Sequence, residues 1–124
     1  MEIRTLIVDD QPDVRLLMRL VLEVANEGLV VSGEAAGGRE ALDTLDEDDP
    51  VVVVLDQMMP DMNGLETATR IRARRPRQII VLCSAYLDDD MVERARDLGV
   101  QWCVGKAEVR RLPDVIREAV RTAS

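Results

Sequence analysis

Residues 51–56 have the sequence Val-Val-Val-Val-Leu-Asp, an unbroken aliphatic run that ends in a carboxylate. A strand with one face in water alternates apolar and polar residues, whereas a parallel strand covered by helices on both faces is apolar throughout. The run is far too short to cross a bilayer. We therefore predict a buried strand of an α/β protein, with Asp56 at its carboxyl end.

Three other short, mostly apolar runs also precede reactive side chains. They are Ile3–Val8 before Asp9 and Asp10, residues 78–83 before Ser84, and residues 101–105 before Lys106. If these runs are neighbouring parallel strands, their carboxyl ends lie at one edge of a sheet, which is where such sheets bind ligands. The sequence therefore predicts one pocket that contains carboxylates, a hydroxyl and an amine.

The segments between these runs have the periodicity of helices. The first of them carries apolar residues at helical spacing, at Val14, Leu17, Met18, Val21, Leu22 and Ala25. Leu29–Ala35 is a further strand candidate, and further helices are predicted at residues 39–45, 65–74, 88–98 and 112–123. This alternation of strands and helices predicts a doubly wound (βα)5 fold with a five-stranded parallel sheet and right-handed crossovers.

The composition is typical of one small globular domain that spans residues 1–124. Hydrophobic residues make up 47% of the chain but aromatic residues only 2%, so the core must be aliphatic. The net charge of −8 argues against direct nucleic-acid binding, because affinity for a phosphate backbone comes from Lys and Arg. No leader or membrane span is recognisable, and Cys83 and Cys103 lie in apolar runs. We expect a soluble cytoplasmic protein with reduced thiols and no membrane association.

The predicted pocket is more informative than any of its members alone. Asp9 and Asp10 are adjacent like charges after a buried strand, but either of them alone could simply cap a helix. Asp56 or Ser84 alone could be a turn residue, and Lys106 alone could be a solvated side chain at a strand end. Together the carboxylates form a hard oxygen site suited to Mg²⁺, and a carboxylate beside a metal can accept a phosphoryl group.

Several segments resemble the receiver domains of bacterial two-component response regulators. They are residues 6–10, residues 55–64 (Leu-Asp-Gln-Met-Met-Pro-Asp-Met-Asn-Gly), residues 82–85 and Lys106. Their order and spacing are highly specific, and the resemblance covers the whole chain. It implies a flavodoxin-like three-layer sandwich with strand order 2-1-3-4-5. It also implies a phosphorylation-dependent signalling switch that catalyses only its own phosphotransfer and slow dephosphorylation, rather than an enzyme.

The resemblance implies roles for the acidic residues. Asp56 would accept the phosphoryl group, Asp10 would bind Mg²⁺ directly, and Asp9 would assist through water. The backbone carbonyl of Met58 would complete the protein ligands, so the metal site would consist of Asp9, Asp10, Asp56 and Met58. The phosphoryl donor would be a sensor histidine kinase or a small acyl phosphate.

The resemblance also implies how the switch would work. Lys106 would pair with Asp56 before the transfer and with the phosphoryl oxygens after it. Ser84 would hydrogen-bond the new phosphoryl group and draw its loop inward, which would change the surface of the fourth helix, fifth strand and fifth helix. Residues 33–42 and 112–120 are most similar to the subfamily with a C-terminal helix-turn-helix output domain. We expect either a piece of such a transcription regulator or a stand-alone receiver.

Two positions depart from the family pattern. Where most receivers have Tyr or Phe three residues before the pocket lysine, this chain has Cys103, and Ala107 replaces the proline that usually follows the lysine. The neighbouring Trp102 should face the opposite side of its strand. We hypothesise that signalling proceeds without an aromatic rotor. Met58 and Tyr86 occupy the positions that shape water access to the acyl phosphate in the family, and their bulk predicts slow self-dephosphorylation.

Other functions remain open on the sequence alone. A degenerate receiver could act as a phosphorylation-independent binding or dimerisation module. A small aspartyl-phosphate hydrolase would usually carry a second acid where this chain has Met58, and a flavin carrier would need aromatic residues that are nearly absent. The last helix carries arginines opposite its apolar stripe that suggest either a homodimer or partner face or a solvated surface, namely Arg110, Arg111, Arg117 and Arg121.

Overall fold

The computed structural model of the chain describes residues 2–123, in which strands and helices alternate. The strands are β1 Ile3–Val8, β2 Leu29–Ala35, β3 Val52–Leu55, β4 Ile79–Ser84 and β5 Trp102–Gly105. The α-helices are α1 Pro12–Ala25, α2 Gly38–Glu47, α3 Gly64–Arg74, α4 Asp89–Asp97 and α5 Leu112–Ala123. A 3₁₀ helix, Lys106–Arg111, joins β5 to α5.

The strands of the described region form one parallel sheet in the order β2-β1-β3-β4-β5. This order confirms the expected 2-1-3-4-5 topology. It sets β3 between β1 and β4, with Leu55 opposite Val8 on one side and Leu82 on the other. The residues that follow these strands therefore lie next to one another at the carboxyl edge of the sheet.

Helices cover both faces of the sheet, which explains why β3 is buried throughout. One apolar layer joins the sheet to α2, α3 and α4 through residues such as Leu42, Ile71 and Ala95. The other joins it to α1 and α5 through residues such as Met18 and Ile116. The three-layer sandwich is therefore confirmed, and its core is aliphatic as the composition requires.

The elements agree with the predicted ranges to within about two residues, and two features differ. The 3₁₀ helix was not predicted because its residues lack an apolar stripe. Leu17 was assigned to the apolar face of α1 but is 47% exposed, since Met18 and Leu22 are the residues of α1 that reach the core. None of the helices in residues 2–123 is long and apolar enough to cross a membrane.

Three of the arginines named for the last helical segment, Arg111, Arg117 and Arg121, pair with neighbouring carboxylates. Arg111 lies 3.1 Å from the carboxylate of Glu108, and Arg117 lies 3.7 Å from that of Asp114. Arg121 pairs with Glu118. This side of the molecule is therefore a surface of local ion pairs, and its role as a homodimer face stays a prediction.

Candidate functional site

Three aspartates meet at the carboxyl edge of the sheet. Asp9 and Asp10 follow β1, and Asp56 follows β3, which is hydrogen-bonded to β1 as far as the pair Val8 and Leu55. One carboxylate oxygen from each aspartate lies within 4.8 Å of the corresponding oxygen of the other two. The parallel pairing of two separate strands thus creates an acidic cluster that neither strand could form alone.

The cluster is buried and is held by one amine. Asp9 and Asp56 are 0% and 2% exposed, whereas Asp10 is half-buried. Lys106 Nζ lies 2.8 Å from Asp9 Oδ2 and 3.1 Å from Asp56 Oδ1. The other oxygen of Asp9 accepts a hydrogen bond of 2.9 Å from the amide of Gln11. Asp9 is therefore committed to protein contacts, while Asp10 is the acid best exposed to a ligand from solvent.

Burial and charge act together on the ionisation of this cluster. Burial, followed by repulsion from Asp9, raises the pKa of Asp56 above its ordinary value, and Lys106 opposes this rise. For Lys106, burial favours the neutral amine, but the close polar contacts with Asp9 and Asp56 and the attraction to their charges outweigh it, so the pKa of Lys106 is raised. The lysine is therefore cationic at neutral pH and neutralises part of the acidic charge.

The donors fit a divalent metal ion. Three carboxylates face one ammonium, and all the ligand atoms of the cluster are oxygens. Asp9 Oδ2 and Asp56 Oδ1 lie at ion-pair distance from Lys106 Nζ. Among the described residues, however, neither oxygen has a hydrogen-bond partner of good geometry. Buried carboxylate oxygens without such partners are rare. The cluster could therefore hold a hard cation, which would supply the missing positive charge.

The loop between β3 and α3 is closed tightly beside Asp56. The amide of Gly64 donates to the carbonyl of Gln57 at 2.9 Å, and the Gln57 side chain accepts from the amide of Leu65 at 2.9 Å. A Cβ atom on Gly64 would lie 2.4 Å from the carbonyl oxygen of Asp56, so glycine is required at this close approach. Met58, two residues after Asp56 in this loop, has a side chain that is 64% exposed.

The hydroxyl of Ser84 lies at the end of β4, the strand next to β3. Ser84 is buried and donates to the carbonyl of Tyr86 at 3.2 Å, while the Tyr86 amide approaches the same hydroxyl at 3.4 Å. Tyr86 itself is exposed. In this structure the hydroxyl therefore stabilises its own loop, and a contact with a ligand at Asp56 would require it to turn.

Cys103 and its neighbour Trp102 lie on opposite faces of the sheet, as alternation along β5 predicts. Cys103 packs against the core layer that contains α4, together with Met91 and Leu98. Trp102 packs against the opposite layer, so it does not occupy the place of an aromatic switch. Cys83 and Cys103 are both free thiols, and burial raises the pKa of Cys83 to about 12, which keeps that thiol protonated and inert.

Two supporting groups were missed by the sequence-based reasoning. Arg15 donates to the backbone carbonyl of Asp9 at 2.7 Å and also bonds the carboxylate of Glu34, which Arg19 holds from the next turn. Asp61 of the β3–α3 loop bonds the first amides of α2. The spacing of Arg15 and Arg19 indicated a shared helix face, but contacts with β2 and α2 depend on the packing of distant segments.

A comparison with protein families supports a common origin for most of the chain. The model of the family described as "Response regulator receiver domain" matches residues 5–117. The match includes every site residue named above, from Asp9 to Lys106.

Individual proteins give the same result. The "Transcriptional activator protein ExaE" of Pseudomonas putida is 37% identical over 116 residues, which are 94% of this chain and 52% of that protein. The "Response regulator protein VraR" of Staphylococcus aureus is 31% identical over 125 residues, covering 100% of this chain and 59% of that protein. This chain therefore spans about half the length of these curated relatives.

The fold also matches a solved structure. The crystal structure of a two-component response regulator of the LuxR family from Aurantimonas has a TM-score of 0.93 and 27% identity to this chain. The alignment covers 98% of this chain and 87% of that one.

Proposed function

The chain belongs to the response regulator receiver family, and we propose that it accepts a phosphoryl group on Asp56 in a Mg²⁺-dependent reaction. Receiver domains are phosphorylation-dependent signalling switches rather than classical enzymes. One observation carries the assignment of the site: Asp9 and Asp56 are buried carboxylates paired with Lys106 and lie within 4.8 Å of each other and of Asp10. Among these acids, Asp56 is the one in residues 55–64, the segment that resembles the phosphoryl-acceptor segment of receivers. Burying such carboxylates costs folding free energy, and groups in this kind of environment are concentrated at functional sites.

The different exposures of the aspartates support different roles for them in metal binding. Asp10 is half-buried and would bind Mg²⁺ directly, whereas Asp9 is occupied by Lys106 and Gln11 and would act through a water molecule. Asp56 and the backbone carbonyl of Met58 would be the other ligands. When bound, the ion would neutralise equatorial phosphoryl oxygens during the transfer.

The transfer itself needs position more than covalent assistance from the protein. A carboxylate oxygen of Asp56 forms the new bond to phosphorus as the bond from phosphorus to the donor's leaving atom breaks. The leaving group departs with the bonding electron pair. The Lys106 ammonium, already 3.1 Å from Asp56, would shift its contact to a phosphoryl oxygen. Its positive charge would therefore stay at the site throughout the transfer.

The phosphorylated carboxyl group carries more negative charge and new acceptor oxygens, which Ser84 could bond. Ser84 now bonds Tyr86 in its own loop, so a turn of this hydroxyl would displace the loop toward Asp56. Cys103 is small and half-buried against the same layer as α4. We therefore propose that the loop, rather than an aromatic side chain on β5, transmits phosphorylation to the surface.

The partners follow from the family and belong to the same proposal. The donor would be the phosphohistidine of a sensor histidine kinase in the cytoplasm, and residues 1–124 would form one receiver unit. The longer relatives include a transcriptional activator, so the output would be a C-terminal DNA-binding domain of a transcription regulator. With a net charge of −8, DNA binding would depend on that domain.

The proposal is tested by treating the protein with acetyl phosphate and measuring its intact mass. We expect an increase equal to one phosphoryl group when Mg²⁺ is present and none when a chelator removes it. Asp56→Asn should abolish the increase, whereas Asp43→Asn, which changes an exposed aspartate of α2, should leave it intact. If wild-type protein gained no phosphoryl group, a receiver that acts only as a binding module, as Cys103 and Ala107 suggest, would be favoured instead.

The lifetime of the phosphorylated form gives a second test. Met58 and Tyr86, two residues after Asp56 and Ser84, are 64% and 79% exposed, and neither side chain carries a carboxylate or amide that could orient an attacking water. We expect slow self-dephosphorylation and, for Met58→Asn, a decay about tenfold faster. The loss of phosphoryl mass with time measures this rate, with Met58→Leu as the apolar control. Equal rates for the three proteins would contradict the expectation.

A further inference from the structure

The β3–α3 loop is joined by one carboxylate to α2, which packs on the same face of the sheet as α3. Asp61 Oδ1 accepts from the amide of Gly38 at 3.3 Å, and Asp61 Oδ2 accepts from the amide of Arg39 at 3.1 Å. These amides begin α2, whose N-cap residue, Gly37, has no side chain with which to cap them. Asp61 therefore caps α2 from a different segment of the chain.

This contact is one of several that hold the β3–α3 loop. Gln57 is the first hydrogen-bonded anchor of the loop, to Gly64 and Leu65, and the buried side chains of Met59 and Met62 pack in the apolar layer of α2 and α3. Asp61 follows Met58 by three residues and supplies a second anchor to a rigid helix. Hydrogen bonds, first from the Arg39 amide, lower the pKa of Asp61, so the carboxylate stays ionised at neutral pH.

We propose that Asp61 is a positioning residue for the Mg²⁺ site, because it ties the β3–α3 loop to α2 and thereby holds the Met58 carbonyl beside Asp56. The inference rests on the proposed function, since it assumes that this carbonyl is a metal ligand. Supporting residues of this kind affect metal affinity through the geometry of the ligands that they hold.

Gly37 offers an independent way to disturb the contact. A Cβ atom on Gly37 would lie 2.8 Å from Asp61 Oδ1 and 2.9 Å from Asp61 Oδ2. The backbone of Gly37 is extended, a conformation that alanine adopts without strain. Gly37→Ala should therefore displace the carboxylate while it preserves both the net charge and Asp61 itself.

The test is a titration of the full chain with Mg²⁺ in the absence of phosphodonor. The amide NMR signals of the β3–α3 loop report the binding. We expect Asp61→Ala and Gly37→Ala each to weaken Mg²⁺ binding about tenfold, and Asp61→Asn, which keeps one acceptor oxygen, to weaken it less. Asp43→Ala removes the same charge from an exposed position on α2 and should bind Mg²⁺ as the wild type does. The double variant Gly37→Ala/Asp61→Ala should be no weaker than Asp61→Ala, because the clash needs the carboxylate.

Two further measurements separate this inference from a change in stability and from the proposed function. Hydrogen exchange of the Gly38 and Arg39 amides should accelerate in Asp61→Ala, while thermal unfolding shows whether the variants are folded at the titration temperature. The inference would be overturned if folded Asp61→Ala bound Mg²⁺ with wild-type affinity, or if Asp43→Ala bound Mg²⁺ as weakly as Asp61→Ala does. Neither result would touch the proposed function as long as acetyl phosphate still labelled the wild-type protein. If Asp61→Ala did not fold, Gly37→Ala alone would decide, since wild-type affinity there also contradicts the role. Failure of wild-type protein to bind Mg²⁺ or to be labelled would instead reject the proposed function.

Discussion

The two edges of the sheet use the same kinds of charged residue in opposite ways. At the amino edge, Arg4 pairs with Asp48, and Arg75 pairs with Asp49 and donates to the carbonyl of Asp48 at 2.9 Å. Each acid there meets a base in contact with water, and the hydrogen bond from Arg4 lowers the pKa of Asp48. At the carboxyl edge, burial and a neighbouring carboxylate raise the pKa of Asp56 instead.

The difference indicates which edge is organised for stability and which for binding. At the amino edge, Asp48 and Asp49 are neutralised by Arg4 and Arg75. The carboxyl edge has three carboxylates for one ammonium, so it is unfavourable alone and becomes favourable when a cation binds. Comparison of the edges thus locates the ligand site from electrostatics, without reference to any relative.

The largest expected effect comes from removing the cation of the carboxyl edge. Lys106→Met leaves Asp9 and Asp56 buried without their amine, and we expect a loss of about 3 kcal/mol in the free energy of unfolding. Arg4→Met, the matched change at the amino edge, should have little effect because the ion pair of Arg4 is in contact with water. Urea denaturation measures both. Similar losses for the two variants would mean that the edges do not differ as described.

The next largest effect is expected for Asp56→Asn, which should gain stability by an amount that depends on pH. Because the folded state raises the pKa of Asp56, the ionised carboxylate opposes folding once the pH exceeds its ordinary value of 3.8. Asp56→Asn removes this cost, so at neutral pH and without Mg²⁺ the variant should be more stable by on the order of 1 kcal/mol. The gain should shrink as the pH falls toward 3.8, because Asp56 of the wild type then becomes protonated in both the folded and the unfolded state.

Thermal unfolding of wild type and Asp56→Asn at a series of pH values measures this gain. A gain that stayed constant from acid to neutral pH would show that it does not arise from ionisation of Asp56. A loss of stability at neutral pH would mean that attraction to Lys106 exceeds the cost of burial, contrary to the direction given for the pKa of Asp56.

The smallest effect is expected at the amino edge and has the opposite sign. Because the pKa of Asp48 is lowered, its carboxylate stabilises the fold above pH 3.8, and this contribution is lost as the pH falls through the lowered pKa. Asp48→Asn should therefore lower the melting temperature slightly at neutral pH and should match the wild type in acid. The same thermal scans test this. If the change in melting temperature depended on pH in the same way for Asp48→Asn and Asp56→Asn, the two edges would not differ as described.

The fold could be predicted from the sequence because the apolar patterns of its strands and helices are local and recur along the chain. The aliphatic run of β3 identifies a parallel sheet covered on both faces, and the residues after β1, β3, β4 and β5 were expected at one edge for that reason. The structure brings Asp9, Asp10, Asp56 and Lys106 together there. Their roles in phosphoryl transfer stay predictions.

The remaining features could not be predicted because they depend on how distant segments pack. The bond from Arg15 to the Asp9 carbonyl and the cap that Asp61 places on α2 join residues whose spacing in the chain has no periodic signature. The exposure of Leu17 likewise depends on where α1 meets the sheet and α5, since the apolar pattern alone does not say which side is covered. Local patterns therefore located the reactive groups but not the contacts that support them.

The most direct test of the account is to locate the phosphoryl group. After treatment with acetyl phosphate and Mg²⁺, reduction with borohydride converts an aspartyl phosphate to homoserine, and peptide mass spectrometry identifies the converted residue. The account predicts homoserine at position 56 and an unchanged residue at positions 9 and 10. Conversion of Asp9 or Asp10 instead of Asp56, or of none of the three, would contradict it.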